Sequence, residues 1–436
     1  MSSVPVVIVG AGPAGLSAAF HLSPTTDSIV IEREQEAGGL CRSFDLHGVT
    51  FDLGGHAFFT KHDDVRDLVD RLCKVGVHRQ ARQAWVYSHE TLIPYPFQSH
   101  LFGLPVDVVR DCLIGLVESA GFVDTPAENL EDWILKSFGS GIAHHFLTPY
   151  NQKLWAFRLS EIAPTWTDQR IVRPDVAAIV AGALGPQDFR DFPNATVSYP
   201  AEGGFWRLYE GFVDRADGRI RYGTSLESID LAERTIQLEG GERVTYEYLV
   251  STMPLDALVQ RTREAEPCCQ RAAAALRHNS LHLVNLVVSK ENWTERQRIY
   301  VADETVPFHK LVFNSNSSPT LREQPHFGIQ AEVSFSPEKL VDPETLEQRV
   351  VASLVAMGVI RDAGDVLATS RVTLPYAYPV YARDTTDARE HLLSMLESRG
   401  VFCAGRFGEW LYINSDDAVL RGKQRALEIE ALLSRG

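Results

Sequence analysis

Gly10, Gly12 and Gly15 form a G-x-G-x-x-G run between an apolar stretch, PVVIV, and a helical pattern of small residues, PAGLSAAFHL. The first glycine allows a tight turn. The second lets a pyrophosphate reach the backbone, and the third lets helix and strand pack closely. The helix, with Ala14 in its first turn, would present free N–H groups and its positive dipole end to phosphates. Glu32 ends the next buried strand, SIVIE, 22 residues after Gly10. A carboxylate at that place can hydrogen-bond a ribose diol. The chemistry these residues suit is the binding of a dinucleotide.

A second glycine pair follows in GGLCRS, with Gly38, Gly39, Leu40 and Arg42. This spacing is typical of the flavoproteins that include amine oxidases and protoporphyrinogen oxidase, and it favours FAD over NAD. FDLGGHAFF, residues 51–59, then places Gly54, Gly55 and His56 inside an apolar run. Consecutive glycines weaken a strand, so close approach of something to the backbone is one reading, with a flavin ring as the candidate. The other reading is a bulge with a buried, hydrogen-bonded histidine.

The elements that must carry these residues are legible in outline. The N-terminus reads as a βαβ start. Residues from about 106 to 184 are mostly helical in pattern, and 164–200 reads as a long loop. Alternating apolar residues with GG turns from about 219 to 251 read as strands, as do LHLVNLVVS, HKLVFNSN and FGIQAEVSFS. The expected fold is α/β, a Rossmann-like FAD-binding core with an inserted helical domain and a mixed β-sheet substrate domain. The boundaries expected are 1–78, 203–264 and 372–436 for the FAD-binding domain, 102–184 for the helical domain, and 79–101, 185–202 and 265–371 for the substrate domain.

Composition narrows the partners. The chain of 436 residues carries a net charge of −15, which argues against nucleic acid and anionic membrane surfaces. The six cysteines contain no Cys-x-x-Cys pair, so no metal site is expected, and adjacent Cys268 and Cys269 read as ordinary thiols. No apolar stretch is long enough to span a bilayer, and a cytoplasmic location is expected. Nothing in the sequence sets the oligomeric state.

Five further stretches occur in order: IPYPFQ, DWI…FGSGIAHHFLTPYNQKLWA, PNAT, LVSTMPLDAL and GRFGEWLY. With the N-terminal motifs they resemble the UDP-galactopyranose mutase family, in particular its eukaryotic-type branch, over almost the whole chain. The resemblance implies an FAD-dependent isomerase that interconverts the pyranose and furanose forms of a UDP-sugar, by default UDP-galactose and its galactofuranose form. The reaction would pass through a covalent adduct between the sugar and N5 of reduced flavin, with NAD(P)H or another reductant as activator. An FAD-dependent amine oxidase or desaturase of the same fold is the alternative.

The resemblance also implies roles for single residues. His56, Arg170 and Arg406 match catalytic positions. Tyr95, Phe97 and Gln98 match a uridine pocket, and Phe59, Asn151, Trp155 and Asn194 line the substrate cleft. Arg170, Lys310 and Arg406, with Tyr300, Tyr378 and Tyr412, would hold the diphosphate. Besides the glycines, Glu32, Leu40, Arg42 and His56, the cofactor contacts implied are Leu226, Arg406 and the turn Ser415, Asp416, Asp417, Ala418, Val419, Leu420. Three positions depart from the family pattern: Lys310 stands for an arginine, Arg298 for an aromatic and Asp416 for an asparagine.

Overall fold

The computed structural model describes residues 2–122, 125–167, 171, 173, 175–187, 195–216, 218–263 and 265–435. Arg170 and Asn194 lie outside the described residues. Two seven-stranded sheets dominate.

The first sheet has the spatial order Leu226–Asp230, Thr235–Leu238, Arg243–Ser251, Ser2–Val9, Ser28–Ile31, Ile220–Arg221, with Val401–Cys403 also paired to Arg243–Ser251. Ser2–Val9 runs parallel to both of its neighbours. A parallel strand covered on both faces reads as an unbroken apolar run, which is why VVIV shows no alternation. The alternation reappears in packing. Val6 and Ile8 join the core under the helices Pro13–His21 and Ser415–Leu433. Val7 and Val9 join the opposite core, with Leu255, Leu258 and Leu392. This is the Rossmann-like α/β core expected.

The first and last helices touch backbone to backbone. A Cβ on Gly422 would lie 2.0 Å from the carbonyl oxygen of Ala14. Ser17 Oγ donates to the carbonyl of Val419 at 2.6 Å. The N-terminal phosphate-loop unit and the C-terminal helix therefore form one body.

The second sheet has the order Val366–Val380, Arg277–Val288, Phe327–Phe335, Lys310–Val312, Arg298–Val301, Ala84–Ser88, Thr91–Pro94. Every pair in it is antiparallel except Arg298–Val301 with Ala84–Ser88. The helices Val106–Ser119, Leu130–Ile142, Thr148–Trp155 and Val176–Leu184 fall between the sheets in sequence. Their core shares Val86, Ile93, Ala302 and Val380 with the second sheet.

The segment 164–200, read as loop, contains a helix and the strand Thr196–Pro200. The helix starts where the Asp175 carboxylate accepts from Ala178 N at 2.7 Å, an ordinary N-cap. No helix among the described residues is long and apolar enough to cross a membrane.

Candidate active site

Three distant segments meet at the glycine loop. Gly38 N donates to the carbonyl of Ala11 at 2.8 Å. A Cβ on Gly39 would sit 3.1 Å from Gly12 Cα, and one on Gly405 would sit 3.0 Å from Ala14 Cβ. Glu32 is 6% exposed. Its carboxylate accepts from Ala11 N at 2.7 Å and from Glu34 N at 2.9 Å.

Neither Gly12 nor Asn414 caps the helix that follows it, Pro13–His21 or Ser415–Leu433, with a side chain, although the Asp416 carboxylate engages the N–H groups of Asp416 and Asp417. Asp416 is buried beside Asp417, and burial followed by that neighbouring charge pushes its carboxyl above the usual range. Asp417 lies 3.4 Å from His62. Arg42 pairs with Glu34 at 3.2 Å and donates to the carbonyl of Gly39. Leu226 lies in an edge strand, and its carbonyl accepts from Arg261 at 3.0 Å. An open glycine cradle, two helix starts whose N-cap residues lend no side chain and a buried carboxylate at the strand end fit FAD.

Gly15 has no room for a side chain, because a Cβ there would lie 1.9 Å from the carbonyl oxygen of Gly10. Gly15→Val should therefore yield protein without flavin absorbance. The FAD-to-protein ratio after purification and after adding free FAD checks this.

The stretch FDLGGHAFF leaves the strand Val49–Asp52 of a separate two-stranded sheet and packs on the second sheet at Gly55. Gly54 has φ +116°, a conformation strained for any side chain. At Gly55 the close approach comes from the protein itself: a Cβ would meet Val312 at 2.4 Å and Glu332 at 3.1 Å. Gly55 N donates to Glu332 Oε1 at 2.8 Å.

His56 stacks on Phe205 at 4.7 Å between ring centres, and its Nδ1 is buried without a hydrogen-bond partner. Burial first, then the positive charge of Arg406, pushes its pKa down to about 3. The ring is neutral and its Nδ1 is an unspent hydrogen-bonding group. Beneath it, buried Asp52 accepts from Ser43 Oγ, Tyr199 O–H and Phe205 N at 2.7, 2.7 and 2.9 Å. Burial pushes the Asp52 carboxyl up to about 6 despite these bonds.

Strand register assembles the cleft wall. Tyr300 faces Lys310, Lys310 faces Glu332, Arg298 faces Val312, and Tyr300 also pairs with Val86. Because strand residues alternate, Arg298 and Tyr300 share one face with Lys310, Val312, Gln330 and Glu332. Lys310 Nζ lies 2.7 Å from Glu332 Oε2, with the two side chains 11% and 1% exposed. His309, also buried, stands 3.5 Å from the same carboxylate and is held neutral, its pKa lowered to about 4 chiefly by burial. Arg82 donates to the Tyr300 hydroxyl at 2.9 Å and lies over the Tyr95 ring at 4.8 Å. Arg406 lies over Tyr378 and Tyr412 at 5.5 and 5.9 Å and donates to the carbonyls of Ile413 and Ala377.

The aromatic residues named from the sequence are brought together. Tyr95 contacts Tyr300, Phe97 stacks on Phe146, and Trp155 contacts Tyr378 and Tyr412. Asn151 accepts from Trp155 Nε1 at 3.2 Å and donates to the carbonyl of Leu147, so its amide is already engaged. Phe97 and Trp155 are fully buried, and Gln98 is 3% exposed. Phe59 is half-buried on the segment after His56.

Burial acts to raise the Tyr300 pKa. The charges of Arg82, Arg298 and Lys310 outweigh it and bring the group down to about 8. Absorbance titration should show one tyrosine ionising about two units below the ordinary value, and Tyr300→Phe should remove that step.

Arg82, Glu332, His309 and Tyr150, whose ring lies 5.8 Å from that of Tyr300, were not singled out from sequence. Glu332 carried a signal, as the one charged residue within FGIQAEVSF. Arg82 carried none, since an arginine in RQARQAW looks like any surface charge.

Residues 8–72 match an NAD(P)-binding Rossmann-like domain, and residues 117–429 match the flavin containing amine oxidoreductase family. The structure is similar to that of a reduced UDP-galactopyranose mutase, with TM-score 0.92, 29% identity, and coverage of 99% of this chain and 95% of that one. That bears out the resemblance read from the sequence. The fold is shared with a putative protoporphyrinogen oxidase from Exiguobacterium sp. 255-15, at TM-score 0.74, 18% identity, and coverage of 99% and 100%. It is shared too with a putrescine oxidase variant, at TM-score 0.69, 15% identity, and 99% coverage of each chain. An uncharacterized protein in the nifH2 3′ region of Methanothermococcus thermolithotrophicus is 36% identical over 58 residues. That match spans 13% of this chain and 57% of that relative. With its signature spanning most of the sequence, the chain belongs to the flavin containing amine oxidoreductase family.

Proposed function

We propose that the protein is a flavin-dependent mutase that interconverts the pyranose and furanose rings of a UDP-sugar. The observation that carries this reading is the convergence of Arg82, Lys310 and Arg406 on Tyr95, Tyr300, Tyr378 and Tyr412. Guanidinium forks and phenol hydroxyls suit diphosphate oxygens. FAD, when bound and reduced, would supply the nucleophilic centre that takes the sugar from UDP and returns it.

The chain's own residues bind and orient. Arg82 and Arg406 are held by aromatic rings and hydrogen bonds, so little side-chain freedom remains to be lost on binding. Tyr95 would flank the base, packed on the core that holds the buried Phe97, and Gln98 would read its polar edge. His56, neutral throughout the physiological range, would offer Nδ1 as a hydrogen-bonding partner and is too weak a base to carry protons. An amine oxidase reading meets the wrong charge, because this cleft would repel an ammonium group.

The test is to incubate dithionite-reduced protein with UDP-, dTDP- and GDP-sugars and to look for furanose products. Turnover should need reduced flavin yet consume no reductant in proportion, with NAD(P)H acting only to activate. Consumption of NAD(P)H or O₂ one for one with product would sink the mutase reading and favour the oxidase.

A further inference from the structure

We infer that Cys268, Cys269, His391 and Glu266 form a structural zinc site that ties the helix Pro267–Ala275 to the helix Thr385–Glu397. None of the four is assigned to the cofactor or to the substrate, and the inference does not rest on the mutase reading.

The two helices meet on the first sheet, where Cys269, Ala273, Ala388 and Leu392 share one core with Val7 and Val9. One ligand atom from each of Cys268, Cys269 and His391 lies within 4.8 Å of the other two. Tetrahedral zinc, bonded to sulfur at about 2.3 Å and to nitrogen or oxygen at about 2.0–2.2 Å, sets a sulfur about 3.6 Å from a nitrogen or oxygen ligand. Two edges of that length are already present. Cys269 Sγ stands 3.6 Å from His391 Nε2, and Cys268 Sγ stands 3.5 Å from Glu266 Oε2. Glu266 is exposed and, at the start of the helix, caps no backbone N–H with its side chain, so its carboxylate can swing to the fourth position. Cys269 is buried, Cys268 half-buried and His391 exposed, which gives an ion a path from solvent.

The donor set says which metal. Two thiolates and an imidazole are soft ligands that suit zinc and not magnesium or calcium. Binding would release the two thiol protons, leaving two thiolates to balance the charge of the ion, and His391 would bind through neutral Nε2. A disulfide is not the pair's chemistry. Consecutive Cα atoms are about 3.8 Å apart, inside the usual lower limit of about 4.4 Å for a disulfide. No Cys-x-x-Cys spacing announces the site, because His391 lies 122 residues after Cys269. The helix that carries His391 also carries Arg389, whose Nε donates to the carbonyl of Glu409 at 2.7 Å. The Glu409 carboxylate in turn accepts from Gly405 N at 3.0 Å. Zinc would thus brace a helix that supports the cofactor cradle.

The experiment uses the full-length FAD-loaded protein, stripped of metal with a chelator and kept reduced with a phosphine. One equivalent of Co²⁺ should give intense tetrahedral d–d absorption in the red, beyond the bands of oxidised flavin, and added zinc should abolish it. Zinc affinity, measured against a chromogenic chelator, should fall by about a hundredfold in Cys268→Ser and in His391→Gln. Glu266→Gln should cost about tenfold, since water can take the fourth position. Neither Cys268 nor His391 is fully buried, so these two variants should keep the core, with flavin content and the melting temperature of the metal-free proteins as folding controls. Absence of the tetrahedral cobalt bands would overturn the site. Zinc affinity in both Cys268→Ser and His391→Gln within about threefold of wild type would overturn it as well. The contacts at Cys268 and Cys269 would then be S–H hydrogen bonds alone, with any bound metal held elsewhere.

Discussion

Lys310→Ala is expected to cost the fold about 3–5 kcal/mol, more than most single substitutions. The side chain it removes lies 2.7 Å from Glu332, whose own side chain is 1% exposed. The variant leaves a buried carboxylate whose other neighbour, His309, is neutral. Adding Glu332→Gln should recover much of the loss, although Gly55 N then meets a neutral amide oxygen in place of a carboxylate. Urea denaturation of wild type, single and double variants measures the coupling.

The sign with pH follows. Burial acts to raise the Glu332 pKa, but the neighbouring positive charge of Lys310 and the His309 contact overcome it, and the net shift is downward. A depressed carboxyl contributes stability that is fully present above the unfolded value of about 4.3 and is lost as pH falls through the folded value. The advantage of wild type over the double variant should hold at neutral pH and shrink only in strong acid. An advantage that disappeared between pH 7 and 5 would contradict the pairing.

The second large effect is expected at Arg406. Its guanidinium lies over two tyrosine rings and is anchored by the carbonyls of Ile413 and Ala377. Arg406→Ala removes a preorganised cation and leaves those carbonyls to find other donors. Hydrogen bonds to charged groups contribute roughly 1.5–3 kcal/mol, so UDP should bind about tenfold to a hundredfold more weakly. Furanose formation should fall further, since Arg406 follows Gly405 of the cofactor cradle and its charge adds to burial in keeping His56 neutral. Calorimetric UDP titration together with product assays separates the two effects. Wild-type affinity in a fully flavinated Arg406→Ala variant would mean that the cleft assigned here is not the diphosphate site.

What the sequence showed was local. Gly10, Gly12, Gly15 and Glu32 lie within one βαβ unit, so their spacing alone reports their geometry. Tyr300 and Lys310 were accessible because the resemblance to the mutases runs over almost the whole chain, Lys310 as a departure from its pattern. Arg82 was not accessible, and Glu332 showed only as a lone charge in an apolar stretch, because their roles depend on which strands become neighbours. The parallel pairing of Arg298–Val301 with Ala84–Ser88 joins parts of the chain more than 200 residues apart. Only that pairing decides which face of each strand looks into the cleft. The glycine pair at 54–55 illustrates the same limit. The sequence left two readings open there, close approach of a flavin or a bulge, and the fold shows that at Gly55 the approach is that of Val312.

The contact between the first and last helices sets an order of events during synthesis. Ser2–Val9 and the phosphate loop leave the ribosome long before Val401–Cys403 and the helix Ser415–Leu433 that complete their surroundings. The nascent chain must therefore wait with Val6, Ile8 and Ala14 uncovered on one side, a state open to chaperones and to aggregation. Closure around the dinucleotide then waits for that helix, and a chain cut before Ser415 would be unable to complete it.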